Sequence, residues 1–312
     1  MFPKADAHCD TLLVLAKENL PLASGSGQVS LDRLRAGGVG LQFFAAFVDP
    51  EAKSGYLNRA LALIDAFQRQ VLTCPGVRWI KKAGDLELAL AGGELAAVLA
   101  IEGGEVLEGE LAILRLLFQL GVRCIGLTWN NRNALGDGVG ETRSAGRLTA
   151  FGAEVVQAMN KLGMIVDLAH LNEYGFWDAL DLSSAPVLVS HANCRALCNH
   201  PRNLTDAQLK ALGEKRGVIG ISFVSPFVAA DSPDLERVVD HIIHAAAVAG
   251  IDHVALGSDF DGTTEIVPGL EGPERLQELP EALARRGLKN EEIEKILGRN
   301  LCRLLMEVLP RC

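Results

Sequence analysis

GMIVDLAHLNEYGFWDALDLSSAPVLVSHA, residues 163–192, holds one full unit of the pattern that decides the fold. After an opening glycine, Met164–His170 is a continuous apolar run that closes on a histidine. Asn172–Leu182 has helix length, and Val187–His191 is a second apolar run closing on a histidine. Unbroken apolarity, in place of alternation, fits strands covered on both faces, as in a parallel sheet.

Outward from this unit the same alternation continues. Six further runs read as strands: Ala5–Asp10, Val39–Val48, Leu95–Glu102, Cys124–Trp129, Val218–Phe223 and His253–Asp259. Helix-length segments fall at Tyr56–Thr73, Glu108–Leu120, Arg147–Leu162, Thr205–Lys215 and Pro233–Ala249. Asp206 follows Thr205 near one helix start. Gly121, Gly163, Gly217 and Gly250 follow helix ends, where freedom for positive φ is wanted. Eight strands alternating with helices predict an α/β fold, a (β/α)8 TIM barrel. Only Asp10–Val39 lacks a clear helix. Beyond Asp259 come a turn-rich loop and two closing helices, Pro280–Arg286 and Asn290–Leu305. No Pro-, Gly- or Ser-rich linker interrupts the chain, so residues 1–312 are expected to form one barrel domain, with its closing helices at about 274–308.

Composition agrees. With 312 residues, 49% of them apolar, the chain can bury a large core without staples. A net charge of −9 and no basic stripe argue against nucleic acid. Seven cysteines, without a C-x-x-C, suit reduced thiols better than a disulfide framework, and Cys194 and Cys198 read as one face of a short helix. The start, MFPKADAHCD, carries no apolar leader, and the tail, LLMEVLPRC, no anchor signal. The apolar stretch Leu86–Ile101 is broken at Gly92, Gly93 and Glu94, short of the roughly 20 residues a membrane span needs. The expectation is a cytoplasmic protein with no membrane partner.

The reactive side chains fall at one end of the strands. Strand 1 closes on His8-Cys9-Asp10, strand 3 on Glu102, strand 5 on His170, strand 6 on His191 and strand 8 on Asp259. In this architecture the C-terminal ends carry the chemistry. His8 and Asp10, two apart, point to one side of a strand and can offer a nitrogen and an oxygen to one cation. Each residue alone has a bland explanation: a chance H-x-D, a capping Glu102, a satisfied core histidine. The five together do not. Imidazole and carboxylate donors suit zinc, with manganese or cobalt as alternatives. Five ligands exceed one open tetrahedral site but fit two ions about 3.5–4 Å apart sharing a carboxylate. His8 and Asp10 are therefore assigned to one ion, His170 and His191 to the other, and Glu102 to both.

At these residues the chain resembles the renal (membrane) dipeptidase family, metallopeptidase family M19. The matching segments are DAHCDT (6–11), AIEGG (100–104), DLAH (167–170), SHANCRALCNHPRNLTD (190–206) and GSDFDG (257–262), with ILGRNLCRLL (296–305) similar to the family's closing helix. The resemblance implies a (β/α)8 TIM barrel of the metallo-dependent hydrolase type and a two-zinc enzyme that hydrolyses dipeptides, often tolerating a D-residue at the C-terminal position. Carried over by position, His8, Asp10, Glu102, His170 and His191 become ligands. Arg202 would hold the substrate carboxylate, and Asp259 would be the acid/base group. A homodimer would suit the resemblance. In LTWNNRNALGDG (127–138), Trp129 stands where the mammalian relative has a histidine thought to contact the tetrahedral intermediate. Oxyanion stabilisation then falls to a metal, with Asn131 or Arg202 as helpers, and β-lactam hydrolysis is put in doubt.

The expected reaction is attack on the peptide carbonyl by a metal-bridging hydroxide, formed because a bound metal lowers the pKa of water. Asp259 would pass the proton to the leaving amine, provided neighbouring charge and burial tune it; otherwise it is a further ligand. Asp261 is expected behind the ligands or capping the next turn. Arg202 offers a planar fork for a substrate carboxylate, against the plainer alternative of a surface ion pair with Asp206. Another binuclear amidohydrolase, acting on a non-peptide amide or ester, is the main rival. Strand 1 supplies H-x-D where such enzymes carry H-x-H, and no strand end carries a lysine, which disfavours it and a Schiff-base lyase alike.

Overall fold

A computed structural model describes residues 2–50 and 55–311. Nine strands are found among them: β1 (Lys4–Asp6), β2 (Val39–Phe47), β3 (Val77–Trp79), β4 (Leu95–Glu102), β5 (Val122–Gly126), β6 (Ile165–Asp167), β7 (Leu188–Ala192), β8 (Val218–Ile221) and β9 (Val254–Leu256). All pair in parallel, in the order β2-β1-β9-β8-β7-β6-β5-β4-β3. β2 also pairs with β4, from Leu41↔Ala96 to Phe47↔Glu102, and so closes eight of the strands into a barrel. The ninth, β3, pairs with the start of β4, from Val77↔Leu95 to Trp79↔Ala97.

Helices connect the strands, completing a (β/α)8 TIM barrel. They include α3 (Tyr56–Ala66), α5 (Leu111–Gln119), α6 (Ala150–Leu162), α7 (Glu173–Leu182), α8 (Asp206–Glu214), the single turn α9 (Ser225–Val228) and α10 (Leu235–Ala249). Four of these starts are fixed by side chains that accept the orphan N–H three residues on: Thr149 for α6, Asn172 for α7, Thr205 for α8 and Asp234 for α10. α6 ends on Gly163 at φ 70°, a left-handed cap that needs glycine's freedom.

The first crossover does contain helices, α1 (Thr11–Glu18) and α2 (Leu31–Gly37), each too short to declare itself by periodicity. The apolar stretch Leu86–Ile101 divides between α4 (Ala83–Gly92) and β4, parted by Gly93 at φ 66°. The expected helix Tyr56–Thr73 is α3 continued by a π-helical turn, Phe67–Val71. β1, β6 and β9 stop short of their expected ends, so His8, His170 and Asp259 stand just past their strands.

Apolar side chains form two layers. One lies between the barrel and its helices; the other fills the barrel interior with Ala5, Leu41, Phe43, Val98, Leu188 and Val218. Helix α13 (Asn300–Val308), which follows α11 (Leu279–Arg285) and α12 (Asn290–Glu294), joins that interior through Leu301, Leu304, Leu305 and Val308. Asn300 Nδ2 ties it to β9 by donating to the carbonyls of Ile251 and Val254, both at 2.8 Å. The closing helix thus plugs the N-terminal end and leaves the C-terminal end open. The six described cysteines are free and buried, while Cys312 lies outside the described residues. No described helix is long and apolar enough to cross a membrane.

Candidate metal centre

At the open end the strands bring His8, Asp10, Glu102, His170, His191 and Asp259 together. Glu102, the last residue of β4, lies between two groups. Its Oε2 is 3.4 Å from His8 Nε2, which is itself 3.4 Å from Asp10 Oδ2. Its Oε1 is 2.8 Å from His170 Nε2 and 3.6 Å from His191 Nε2. Asp259 Oδ1 faces His8 Nε2 at 3.7 Å. In three overlapping sets the candidate ligand atoms all lie within 4.8 Å of one another: His8–Asp10–Glu102, Glu102–His170–His191 and His8–His191–Asp259.

These donors fit divalent cations. His8 Nε2 and Asp10 Oδ1 are buried without a hydrogen-bond partner, a costly state for polar atoms. Asn130 Oδ1 can only accept, so His170 Nδ1 carries the proton in their 2.8 Å bond and Nε2 presents a lone pair to Glu102 and His191. Burial, reinforced by Arg202 and His8, holds His170 well below the usual imidazole range, and burial and His8 do the same to His191. Burial also works against a charged His8, but the Glu102 and Asp10 carboxylates outweigh it and raise His8 well above that range. Burial, with Asp10 adding, pushes Glu102 up to about 7; burial, again with Asp10, pushes Asp259 up to about 6. A buried cluster of carboxylates and imidazoles, with the His170 and His191 rings held neutral, is what cations neutralise.

Two buried aspartates clasp the strand ends behind the donors. Asp6 accepts from Ser258 N, Ser258 Oγ and Gln42 Nε2 at 2.7–2.9 Å, tying β1 and β2 to the residue before Asp259. Asp167 Oδ1 accepts from Ala169 N and Ser190 N at 3.0 and 2.9 Å, tying β6 to the residue before His191. Neither was singled out from sequence; the signal is an aspartate two or three residues ahead of a histidine at a strand end. His170, Asp259 and Asp261 adopt positive φ of 65°, 67° and 64°, which non-glycine residues keep only where neighbours enforce it. Asp261 supplies part of that enforcement by accepting from Thr11 Oγ1 and from the backbone N–H groups of Gln28 and Val29.

Above the donors opens a cavity of about 410 Å³, within the range of small-molecule sites. Arg202, His200 and Phe227 line one side; Leu13, Phe47 and Trp129 also face it. β2, which ends in Phe47, and β7, whose following loop carries Arg202, lie on opposite sides of the ring. Trp129 stacks on His170 at 5.8 Å and meets Phe47 at 5.6 Å. Arg202 is buried and donates from Nη2 to the His191 carbonyl; its Nε has no partner, and no described carboxylate lies within ion-pair distance. Asp206 pairs instead with His244, so the surface-pair alternative for Arg202 is not what the fold makes. Asn131, expected beside the substrate, is exposed and outside the cavity, because the chain leaves the sheet after β5 and turns the neighbouring Asn130 inward.

Comparison with known proteins fits this arrangement. The family model described as membrane dipeptidase (peptidase family M19) matches residues 1–309. Dipeptidase tcpJ of Claviceps purpurea (strain 20.1) is 35% identical over 302 residues, which cover 92% of this chain and 71% of that one. The crystal structure of dipeptidase AC, a metallopeptidase of family M19, superposes with a TM-score of 0.90 at 30% identity, covering 98% of both chains. A metallopeptidase of Rhodobacter sphaeroides, liganded with a phosphinate mimic of the dipeptide L-Ala-D-Ala, superposes with a TM-score of 0.91 at 29% identity, covering 98% of this chain and 99% of that one.

Proposed function

Since the chain belongs to the membrane dipeptidase family, peptidase family M19, it is a dipeptide-hydrolysing metallopeptidase, and we propose that it works with two divalent ions, zinc by preference, held by His8, Asp10, Glu102, His170 and His191. The observation that carries this reading is the division of Glu102, whose two oxygens face separate donor groups. Imidazole and carboxylate donors without thiolate suit zinc, manganese and cobalt.

Bound there, the ions would supply a water that ionises near neutral pH and would polarise the scissile carbonyl. The chain's own residues do the rest. Arg202, a buried cation without an anionic partner, holds the substrate's terminal carboxylate, which selects dipeptides over longer chains. Asp259, which faces both the cavity and His8, accepts the attacking water's proton and returns it to the leaving amine. Asn130 holds the His170 ring in place, and Trp129 and Phe47 keep water from that flank. The Rhodobacter sphaeroides relative's L-Ala-D-Ala mimic supports extending the substrates to a D-residue at the C-terminal position. The free thiols among the described cysteines support a reducing compartment, the cytoplasm.

The test is a panel of free dipeptides, including L-Ala-L-Ala and L-Ala-D-Ala, assayed on zinc-loaded and chelator-treated protein. Hydrolysis that disappears on chelation and returns with zinc is expected. Metal-independent cleavage, or cleavage of esters and cyclic amides in preference to dipeptides, would contradict the reading.

A further inference from the structure

His200 lines the same cavity as Arg202, and no part of the proposed reaction uses it. Its Nδ1 accepts the backbone N–H of Arg202 at 3.2 Å. A nitrogen that accepts carries no proton, so the ring is neutral and its Nε2 is a donor. That Nε2 makes no hydrogen bond among the described residues.

Phe227 sets the direction of both side chains. The His200 ring lies 4.5 Å from the Phe227 ring at 33°, and the Arg202 guanidinium lies 5.5 Å from its centroid. Asn203 holds this platform to the loop by donating from Nδ2 to the carbonyls of Cys198 and Phe227, at 2.9 and 2.8 Å. Pro201, between the two residues, removes backbone freedom at the point where they diverge. A rigid neutral donor and a rigid cation thus share one support and one cavity wall, with no carboxylate of the described chain paired to that cation.

We propose that His200 Nε2–H and the Arg202 guanidinium form a two-part clamp for the terminal carboxylate of the dipeptide. The proposal rests on the reading that Arg202 faces this carboxylate, and it adds a second, uncharged contact. Two donors lining one cavity fix the carboxylate's rotation as well as its position. The C-terminal residue is thereby oriented before the scissile bond reaches Glu102 and Asp259.

The test uses zinc-loaded enzyme with L-Ala-L-Ala and its C-terminal amide. His200→Phe keeps the ring on Phe227 but removes the donor. It should raise KM for the free dipeptide about tenfold, as expected for losing a hydrogen bond to a charged group, with kcat within about twofold. His200→Gln, which restores an N–H, should recover most of that loss. On the amide substrate, His200→Phe and the parent should match. Metal content and circular dichroism verify each variant, and His200→Ala serves if His200→Phe does not fold. If Arg202→Ala raises KM while His200→Phe does not, the clamp is overturned and the Arg202 reading stands. If neither changes KM, the carboxylate reading itself fails. An equal rise on both substrates would make His200 a shaping residue and would overturn the clamp too.

Discussion

His170, just past β6, and His191, in the neighbouring β7, bring their Nε2 atoms to within 2.8 Å of one another at the same oxygen of Glu102. The other nitrogen of each ring is engaged, by Asn130 Oδ1 for His170 and Ser190 Oγ for His191. Two buried imidazoles and a carboxylate oxygen that converge in this way are placed to share one cation. Metal should therefore stabilise the fold markedly. Zinc at a hundred times its Kd contributes about 2.7 kcal/mol by mass action. Thermal unfolding of chelated and reloaded protein checks this: a higher Tm with metal is expected, and an unchanged Tm would count against the cluster as a metal site.

Asp259 lies past the end of β9 and faces both the cavity and His8. Asp259→Asn keeps its shape but cannot accept a proton. Metal content should hold while kcat falls by about 10²–10⁴, the usual worth of a positioned acid/base group. A variant that loses metal as well would make Asp259 a ligand, and one with unchanged turnover would remove it from the reaction.

Gly262 marks how tightly the donors are packed. A Cβ at this position would sit 2.4 Å from both Asp10 Oδ2 and Asp259 Oδ1. Neither carboxylate can retreat without leaving the cluster. Gly262→Ala should therefore weaken metal binding and activity together in a protein that still folds, as read by metal titration beside circular dichroism. Full metal affinity in Gly262→Ala would show that the carboxylates are freer than their packing implies.

Asp137 holds the loop that carries Asn130. The Arg132 guanidinium, then Ser144 and the Gly146 N–H, hold its carboxyl below the usual aspartate range against the opposing pull of burial, and its carbonyl accepts from Asn172 N. A depressed carboxyl contributes stability above its ordinary value of 3.8, and that stability fades as the pH falls through the lowered value. Because Arg132 is more than half exposed, solvent screens the pair and the contribution is small. Asp137→Asn should lower the urea midpoint at pH 7, with the gap from the parent closing in strong acid. A gap that widens there would reverse the assignment.

Much of the fold was legible because eight barrel strands are buried on both faces and read as unbroken apolar runs. The candidate donors were legible for a related reason: polar groups stand out where such a run stops, as at Glu102 and His191. What stayed hidden has physical causes. β3 is three half-buried residues with no pattern of its own, and α1 and α2 are too short for a clear stripe. Leu86–Ile101 is equally apolar in its helical and extended parts, so only Gly93 marks the change. Asn130 could not be told from Asn131, since strand alternation ends with β5 and the loop geometry beyond it decides which side chain turns inward. Asp6 and Asp167 look like ordinary strand residues until their neighbours' N–H groups are in place.

The central claim is that Glu102 joins two cation sites in one chain. Its most direct measure is metal stoichiometry, by elemental mass spectrometry after equilibrium dialysis against zinc, for the parent and Glu102→Gln. Two ions per chain in the parent, falling to one or fewer in the variant, is the expected result. A parent that saturates below two, or a variant that still holds both, would contradict it.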